Sequence, residues 1–235
     1  MARPSRPIRD PIAVGEAGSV TDESGYLAVP TSGEGPGVLV LAPSSVPASE
    51  VRAWCDRLAR EGYIAFAPGA VDAPGSPARP PSSADRTLEG DPDRALAGWM
   101  RAVDRLAQHP GIAGDAIGVL GVGGGGGPAM LLAELKPSKV RAVVVFYGAD
   151  REVHFDATRA AYLGHFPDGD PNFTEDAIRS LEGEILEGGR EAVFHRYPGV
   201  SDGFFEVSHP AHDVEAEAMA WSRTLEFLRD RLAPG

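Results

Sequence analysis

Two kinds of segment alternate along the chain. Short, continuous apolar runs recur at residues 37–42, 63–68, 116–120 and 140–147. Runs of this length, broken by a charge only at Arg141 in the last, predict strands buried on both faces. Between them lie stretches with apolar residues every three or four positions, which predict helices. The first covers residues 50–60, with Val51, Trp54, Cys55 and Leu58 in one stripe and Ser49 placed to cap it. The second starts at Asp91 or Asp93 and runs to about Gln108, with Leu96, Trp99, Met100, Val103 and Leu106 inward. Residues 129–135 and 175–186 give two more. Residues 212–232 close the chain, with Val214, Ala218, Trp221, Leu225 and Leu228 on one face. Residues 19–30 alternate weakly, as an edge strand does, and 191–197 read as a further strand. Residues 160–166 fit helix or strand, and their place before Pro167 favours strand. Strands alternating with helices predict an α/β fold, a mostly parallel sheet with helices on both faces. Ligands in such folds bind at the carboxyl ends of the strands.

Two segments stand outside this rhythm. Residues 1–18 read as a mobile tail, leaving 19–235 as a single domain. Residues 69–90, rich in proline, serine and alanine, form a loop long enough to be a lid or binding loop. A length of 235 residues suits one domain with a large core. A net charge of -12 argues against nucleic acid and anionic membranes as partners. A single cysteine, Cys55, excludes an internal disulfide and a cysteine-rich zinc site. No apolar run approaches the ~18 residues of a membrane span. No apolar segment follows the basic first residues, as a secretory signal requires. The expectation is a cytoplasmic protein.

The stretch that carries candidate chemistry is Gly121-Val122-Gly123-Gly124-Gly125-Gly126-Gly127-Pro128, between a predicted strand and a predicted helix. Glycines there allow positive φ and close helix–strand approach, and Pro128 suits the first helical position. Two motifs overlay it. Gly121, Gly123 and Gly126 satisfy G-x-G-x-x-G, the dinucleotide fingerprint, with Asp150 as a candidate ribose acid. The same residues match a nucleophile elbow in which Gly123 stands where a serine or cysteine would be. A dinucleotide fingerprint normally opens its domain, whereas two strand–helix units precede this turn.

Several stretches, in order, resemble the dienelactone hydrolase family, an α/β-hydrolase-fold group. They are Leu58-Ala59-Arg60-Glu61-Gly62-Tyr63-Ile64-Ala65 with Pro68, Ile117-Gly118-Val119-Leu120-Gly121 with the glycine turn, and residues 142–148. Residues 164–171, Tyr197-Pro198-Gly199 and Ala220-Trp221-Ser222-Arg223-Thr224-Leu225-Glu226-Phe227 continue the series. The resemblance spans residues 30–232. It implies an α/β-hydrolase fold, a small-molecule substrate and no cofactor or metal, and it leaves the oligomeric state open.

Enzymes of this family use a Cys or Ser nucleophile, a His base, an Asp that orients it and a Glu near the nucleophile, with arginines for a substrate carboxylate. Matched position by position, the nucleophile falls on Gly123, the Glu on the Pro43-Ser44-Ser45 loop, the Asp on Asp170, the His on Asp202 and an arginine on Glu206. The covalent route needs a nucleophile and base, and only Asp170 keeps its residue type. Three features remain. Backbone N–H groups of Gly124 and of the Ser44–Ser45 loop can form an oxyanion hole. Gly123 widens the pocket. Asp170 and Asp202 occupy the places of an interacting Asp–His pair, where two carboxyl groups can act as base and acid, with Glu206 as a third.

Each residue also has a structural reading. Asp202 in Ser201-Asp202-Gly203 and Asp170 before Pro171 look like turn residues, and Glu206 like a solvated charge. His165 reads as a satisfied structural histidine, and Tyr147 and Trp54 as packing residues. Ser208 or Asp213 can cap the last helix. A metal site from Asp170, Asp202, Glu206 and His209 lacks a recognised ligand spacing. The leading expectation is an enzyme of non-covalent acid/base chemistry on a carbonyl- or lactone-like substrate: isomerisation, cyclisation, elimination or dehydration. The alternatives are an inactive binding protein, and a hydrolase using water activated by the Asp170/Asp202 pair or a displaced serine.

Overall fold

A computed structural model of the chain describes residues 8–11, 25–69, 92–149, 152–168, 170 and 173–233. Thirteen main elements follow in order: β1 (Ile8–Pro11), β2 (Gly25–Val29), β3 (Gly35–Leu41), α1 (Ala48–Arg60), β4 (Ile64–Pro68), α2 (Pro92–Ala107), β5 (Ile112–Val122), α3 (Gly126–Leu135), β6 (Val140–Phe146), β7 (Ala161–Pro167), α4 (Glu175–Glu187), β8 (Ala192–Tyr197) and α5 (Val214–Leu232). The strands form one sheet in the order β1-β2-β4-β3-β5-β6-β7-β8. β3 to β8 run parallel, and β1 and β2 are antiparallel to their neighbours.

The apolar runs build this sheet because successive side chains point to opposite faces. Val38 and Val40 of β3, Leu120 and Val122 of β5, and Val144 and Phe146 of β6 face α1 and α5. Leu39 and Leu41, Ile117 and Val119, and Val143 and Val145 face α2, α3 and α4. Both faces are therefore buried, as unbroken runs require. Cys55 is fully buried in the first of these cores.

Residues 8–11 lie within the segment read as a tail and form β1. The loop expected at 69–90 lies, after Gly69, outside the described residues, as does Asp150. Three helix starts differ from expectation. α1 begins at Ala48 after Pro47 with no side-chain cap, so Ser49 lies inside the helix. α3 begins at Gly126, fed by a 3-10 turn over Gly123–Gly125, so Pro128 is its third residue. Proline is still tolerated there, since the first N–H groups of a helix have no acceptor within it. α5 begins at Val214, with Asp213 accepting from the Ala216 N–H at 2.8 Å as its cap. Its buried face is Ala216, Ala220, Trp221, Thr224, Leu228 and Leu232, whereas Val214 and Ala218 are exposed. Thr224 turns inward because its hydroxyl meets His165 Nε2 at 3.1 Å.

Candidate active site

A cavity of about 360 Å³ opens at the carboxyl ends of β5 to β8. Its floor is Gly123, Gly124, Gly127 and Pro128, one wall is Tyr147, Gly148 and Ala149 after β6, and the other is Asp170, Phe173 and Asp202 from the loops after β7 and β8. The glycine turn makes this close assembly possible. A Cβ on Gly148 would overlap the Gly123 carbonyl oxygen and stand 2.7 Å from its carbon. Gly123, at the apex of the turn, has φ +52, the left-handed region that side chains avoid.

The loop carrying Asp202 is fixed by its neighbours. Phe204 and Phe205 are fully buried. Phe205 stacks on Phe146 at a centroid distance of 3.9 Å, and Phe204 on Tyr197 at 5.0 Å. A turn closed by the Phe204 N–H on the Ser201 carbonyl carries Asp202, and Gly203 at φ +87 completes it against the His209 ring. Glu50, buried at the start of α1, accepts the Val207 and Ser208 N–H groups and ties the loop's far side to the core.

Asp170 is 5 % exposed. Asp202 sits at the rim, and partial burial of its carboxyl, then the charge of Asp170, push its pKa up; the Gly203 N–H and His209 act the other way. The Asp202 carboxyl thus feels the charge of Asp170 on the same wall, and a like charge nearby favours its protonated form. Asp202 is also the turn residue that its local sequence predicts. Glu206 is half-buried and accepts from the Tyr147 hydroxyl at 2.9 Å. Burial raises its pKa first, and Glu50 and Asp202 add to this, while the Tyr147 bond and His209 oppose. The Tyr147 phenol is raised too, by burial and then by Glu206, so it stays a neutral donor.

Ser44 and Ser45 are not among the cavity's lining residues. Pro43 lies next to the turn instead, 3.7 Å from where a Gly123 side chain would begin and 3.6 Å from the equivalent point on Gly124. Of the residues expected to supply oxyanion donors, Gly124, within the turn, does line the cavity. The lining residues include no Ser, Thr, Cys or Lys. Among the described residues no group of three His, Cys, Asp or Glu side chains is placed to hold a metal ion.

His165 is fully buried, its Nδ1 2.8 Å from the Tyr197 hydroxyl, and burial lowers its pKa well below the usual histidine value. It is a structural residue. Trp54 packs in the core beside Phe205. Tyr147, read from sequence as packing, both lines the cavity and holds Glu206. Its φ of +36 is the one positive value among described non-glycine residues. Such a conformation costs about 1–3 kcal/mol and persists only where the surroundings enforce it. The available sequence signal was its place at the carboxyl end of a buried strand beside a glycine.

A parallel sheet with a tight turn after its central strand, leading into a helix beneath a cavity, defines an α/β-hydrolase fold. The model of the dienelactone hydrolase family matches residues 24–232. The chain belongs to that family. Among its relatives, Protein usf of Aquifex pyrophilus is 28% identical over 218 residues, covering 88% of this chain and 93% of that protein. A protein of Synechocystis sp. provisionally named a carboxymethylenebutenolidase is 27% identical, with 89% and 92% covered. The structure is similar to a dienelactone hydrolase-like promiscuous phosphotriesterase from metagenomic libraries, at TM-score 0.74, 21% identity, and 89% and 92% coverage. It is also similar to a dienelactone hydrolase from Anabaena variabilis, at TM-score 0.63, 18% identity, and 97% and 100% coverage. No helix among the described residues is long and apolar enough to cross a membrane.

Proposed function

We propose that this chain is a small-molecule enzyme that moves protons on a carbonyl- or lactone-like substrate without forming a covalent acyl intermediate. The observation that carries this reading is the cavity itself. It has a glycine at the apex of its turn, two aspartates on one wall, and no Ser, Thr, Cys or Lys among its described lining residues. The family's nucleophile and base positions fall on Gly123 and Asp202, so the family's route of attack by a Ser or Cys side chain with a His base has no agent there. What the site offers is a donor and a base. The substrate oxygen would rest against the Gly124 N–H within the turn, which favours developing negative charge. Asp170 and Asp202 act as a pair from the same wall. The ionised member takes a proton from the carbon beside the carbonyl, and the pair returns one elsewhere on the substrate. Isomerisation and elimination both follow from that step.

Hydrolysis of an ester or lactone is the second reading, and the hydrolase names of the relatives favour it. The same carboxyl pair would then deliver water to the carbonyl. One substrate separates the two. α-Angelica lactone, an unconjugated enol lactone, gives its conjugated isomer by proton transfer and levulinic acid by hydrolysis. Product analysis with purified protein, together with intact-protein mass during turnover, tests the proposal. Conjugated lactone and an unchanged protein mass are expected. Levulinic acid with unchanged mass supports the second reading, and an acyl adduct refutes both.

A further inference from the structure

We propose that Tyr147 is a catalytic residue of this site, passing its phenolic proton to the substrate oxygen, with Glu206 as the positioning carboxyl that replaces that proton. This rests on the reading of the cavity as an acid/base site for a carbonyl compound. Three observations carry it. Tyr147 lines the cavity beside Gly148, across from the Gly123–Gly124 floor. Its hydroxyl is 2.9 Å from Glu206 Oε1, and Glu206 itself is not among the lining residues. Its backbone is held at φ +36, while its N–H still donates to the His165 carbonyl at 2.9 Å and its ring meets Phe204 edge-on at 5.4 Å. The ring is thus clamped at the strand end, between a wet cavity and a half-buried acid.

Burial and the neighbouring carboxylates favour the protonated forms of this pair, while the Tyr147 bond and His209 act against protonation of Glu206. Glu206 feels Glu50 from α1 and Asp202 from its own loop, with His209 opposing, and burial is the largest influence. The Tyr147 oxygen feels Glu206 and, more weakly, Asp202. With Glu206 protonated, the 2.9 Å bond runs from carboxyl to phenol and frees the phenolic hydrogen for the cavity. The step then balances. A C–H bond beside the carbonyl breaks, its proton goes to the Asp170/Asp202 pair, and its electron pair moves onto the carbonyl oxygen. The Tyr147 O–H breaks as that oxygen is protonated, and the Glu206 O–H breaks as the phenol regains its hydrogen. This half-step leaves a neutral enol; the carboxyl pair then returns its proton to the far carbon of the enol as the enol O–H breaks, and that proton passes back through Tyr147 to Glu206, giving the conjugated lactone and restoring every group.

The test uses the full-length protein and α-angelica lactone, comparing wild type, Tyr147→Phe, Glu206→Gln and Asp202→Asn. Tyr147→Phe keeps the ring and removes the proton, so kcat falls about 100-fold or more with KM little changed and the thermal midpoint nearly preserved. Glu206→Gln lowers kcat and removes the alkaline limb of the pH–rate profile, which loss of its carboxyl proton sets. A purely structural tether would leave that limb in place. If Tyr147→Phe keeps wild-type kcat while Asp202→Asn is inactive, the relay is wrong and the carboxyl-pair reading stands. If the wild type converts no lactone, the reading of the site fails and the relay falls with it.

Discussion

A methyl group added at Gly148 is expected to destabilise the protein more than one added at Gly123, although Gly123 has the less common backbone. At Gly148 the new Cβ would overlap the Gly123 carbonyl oxygen, with the carbon at 2.7 Å and the Gly123 Cα at 3.3 Å. These are backbone atoms at the junction of β5 and α3, and they have no rotamer to change. The fit is reciprocal, since a Cβ on Gly126 would overlap the Gly148 carbonyl oxygen. Relief requires β6 and the turn to separate, an overpacking cost of about 3 kcal/mol. At Gly123 the Cβ meets only the Pro43 ring, at 3.7 and 3.9 Å, which is ordinary contact. The cost there is that of an L-residue in the left-handed region, about 1–2 kcal/mol. Equilibrium urea unfolding, read by tryptophan fluorescence, measures both. With a slope of about 3 kcal/mol per molar, Gly148→Ala lowers the midpoint by about 1 M and Gly123→Ala by about half that. A Gly148→Ala midpoint at or above that of Gly123→Ala refutes the claim that backbone contact sets the cavity floor.

Burial raises the Glu206 carboxyl above its ordinary value of 4.5, so the fold favours the protonated form. That stabilisation is full below 4.5 and is lost as the pH rises through the folded value. Glu206→Gln is therefore expected to unfold at a higher urea concentration than wild type at about pH 8, with the gap closing near pH 4; a gap independent of pH contradicts this. His165→Leu leaves the Tyr197 and Thr224 hydroxyls short of a partner. It should cost about 1–3 kcal/mol of stability without altering lactone kinetics in the folded protein, as thermal melts and rate assays check. Glu50→Ala frees the Val207 and Ser208 N–H groups. Their hydrogen exchange, followed by NMR, should accelerate relative to Phe204 and Phe205, and unchanged exchange would mean that Glu50 does not hold the loop.

Much of the sheet was legible because its strands are buried on both faces, and such runs leave a strong signal. The start of β5 was not. Ile112 pairs with Gly35 of β3, but a register shift separates it from the next pair at Ile117, and residues 112–115 are partly or fully open to solvent, so they lack the apolar run that marks 116–120. The inward face of α5 was misplaced because Thr224 is polar and Ala216 and Ala220 are small, whereas exposed Val214 looks apolar. Gly123, Asp170 and Asp202 were singled out through their family positions, and all three line one cavity. Ser44 and Ser45 do not line that cavity; the path of a loop after a strand depends on what packs behind it, here Pro43 beside the glycine turn. Tyr147 and Glu50 were missed for a related reason. A tyrosine ending an apolar strand and a glutamate in the first turn of a helix look ordinary until their partners, 59 and 157 residues away, are known.

The most direct test of the central claim is the turnover of α-angelica lactone by Asp202→Asn beside the wild type. Asparagine keeps the size and the turn but cannot exchange a proton with Asp170. Proton transfer by the carboxyl pair predicts a fall in kcat of about 100-fold or more, with the protein still folded by its thermal midpoint. An Asp202→Asn variant that converts the lactone at the wild-type rate would contradict the account.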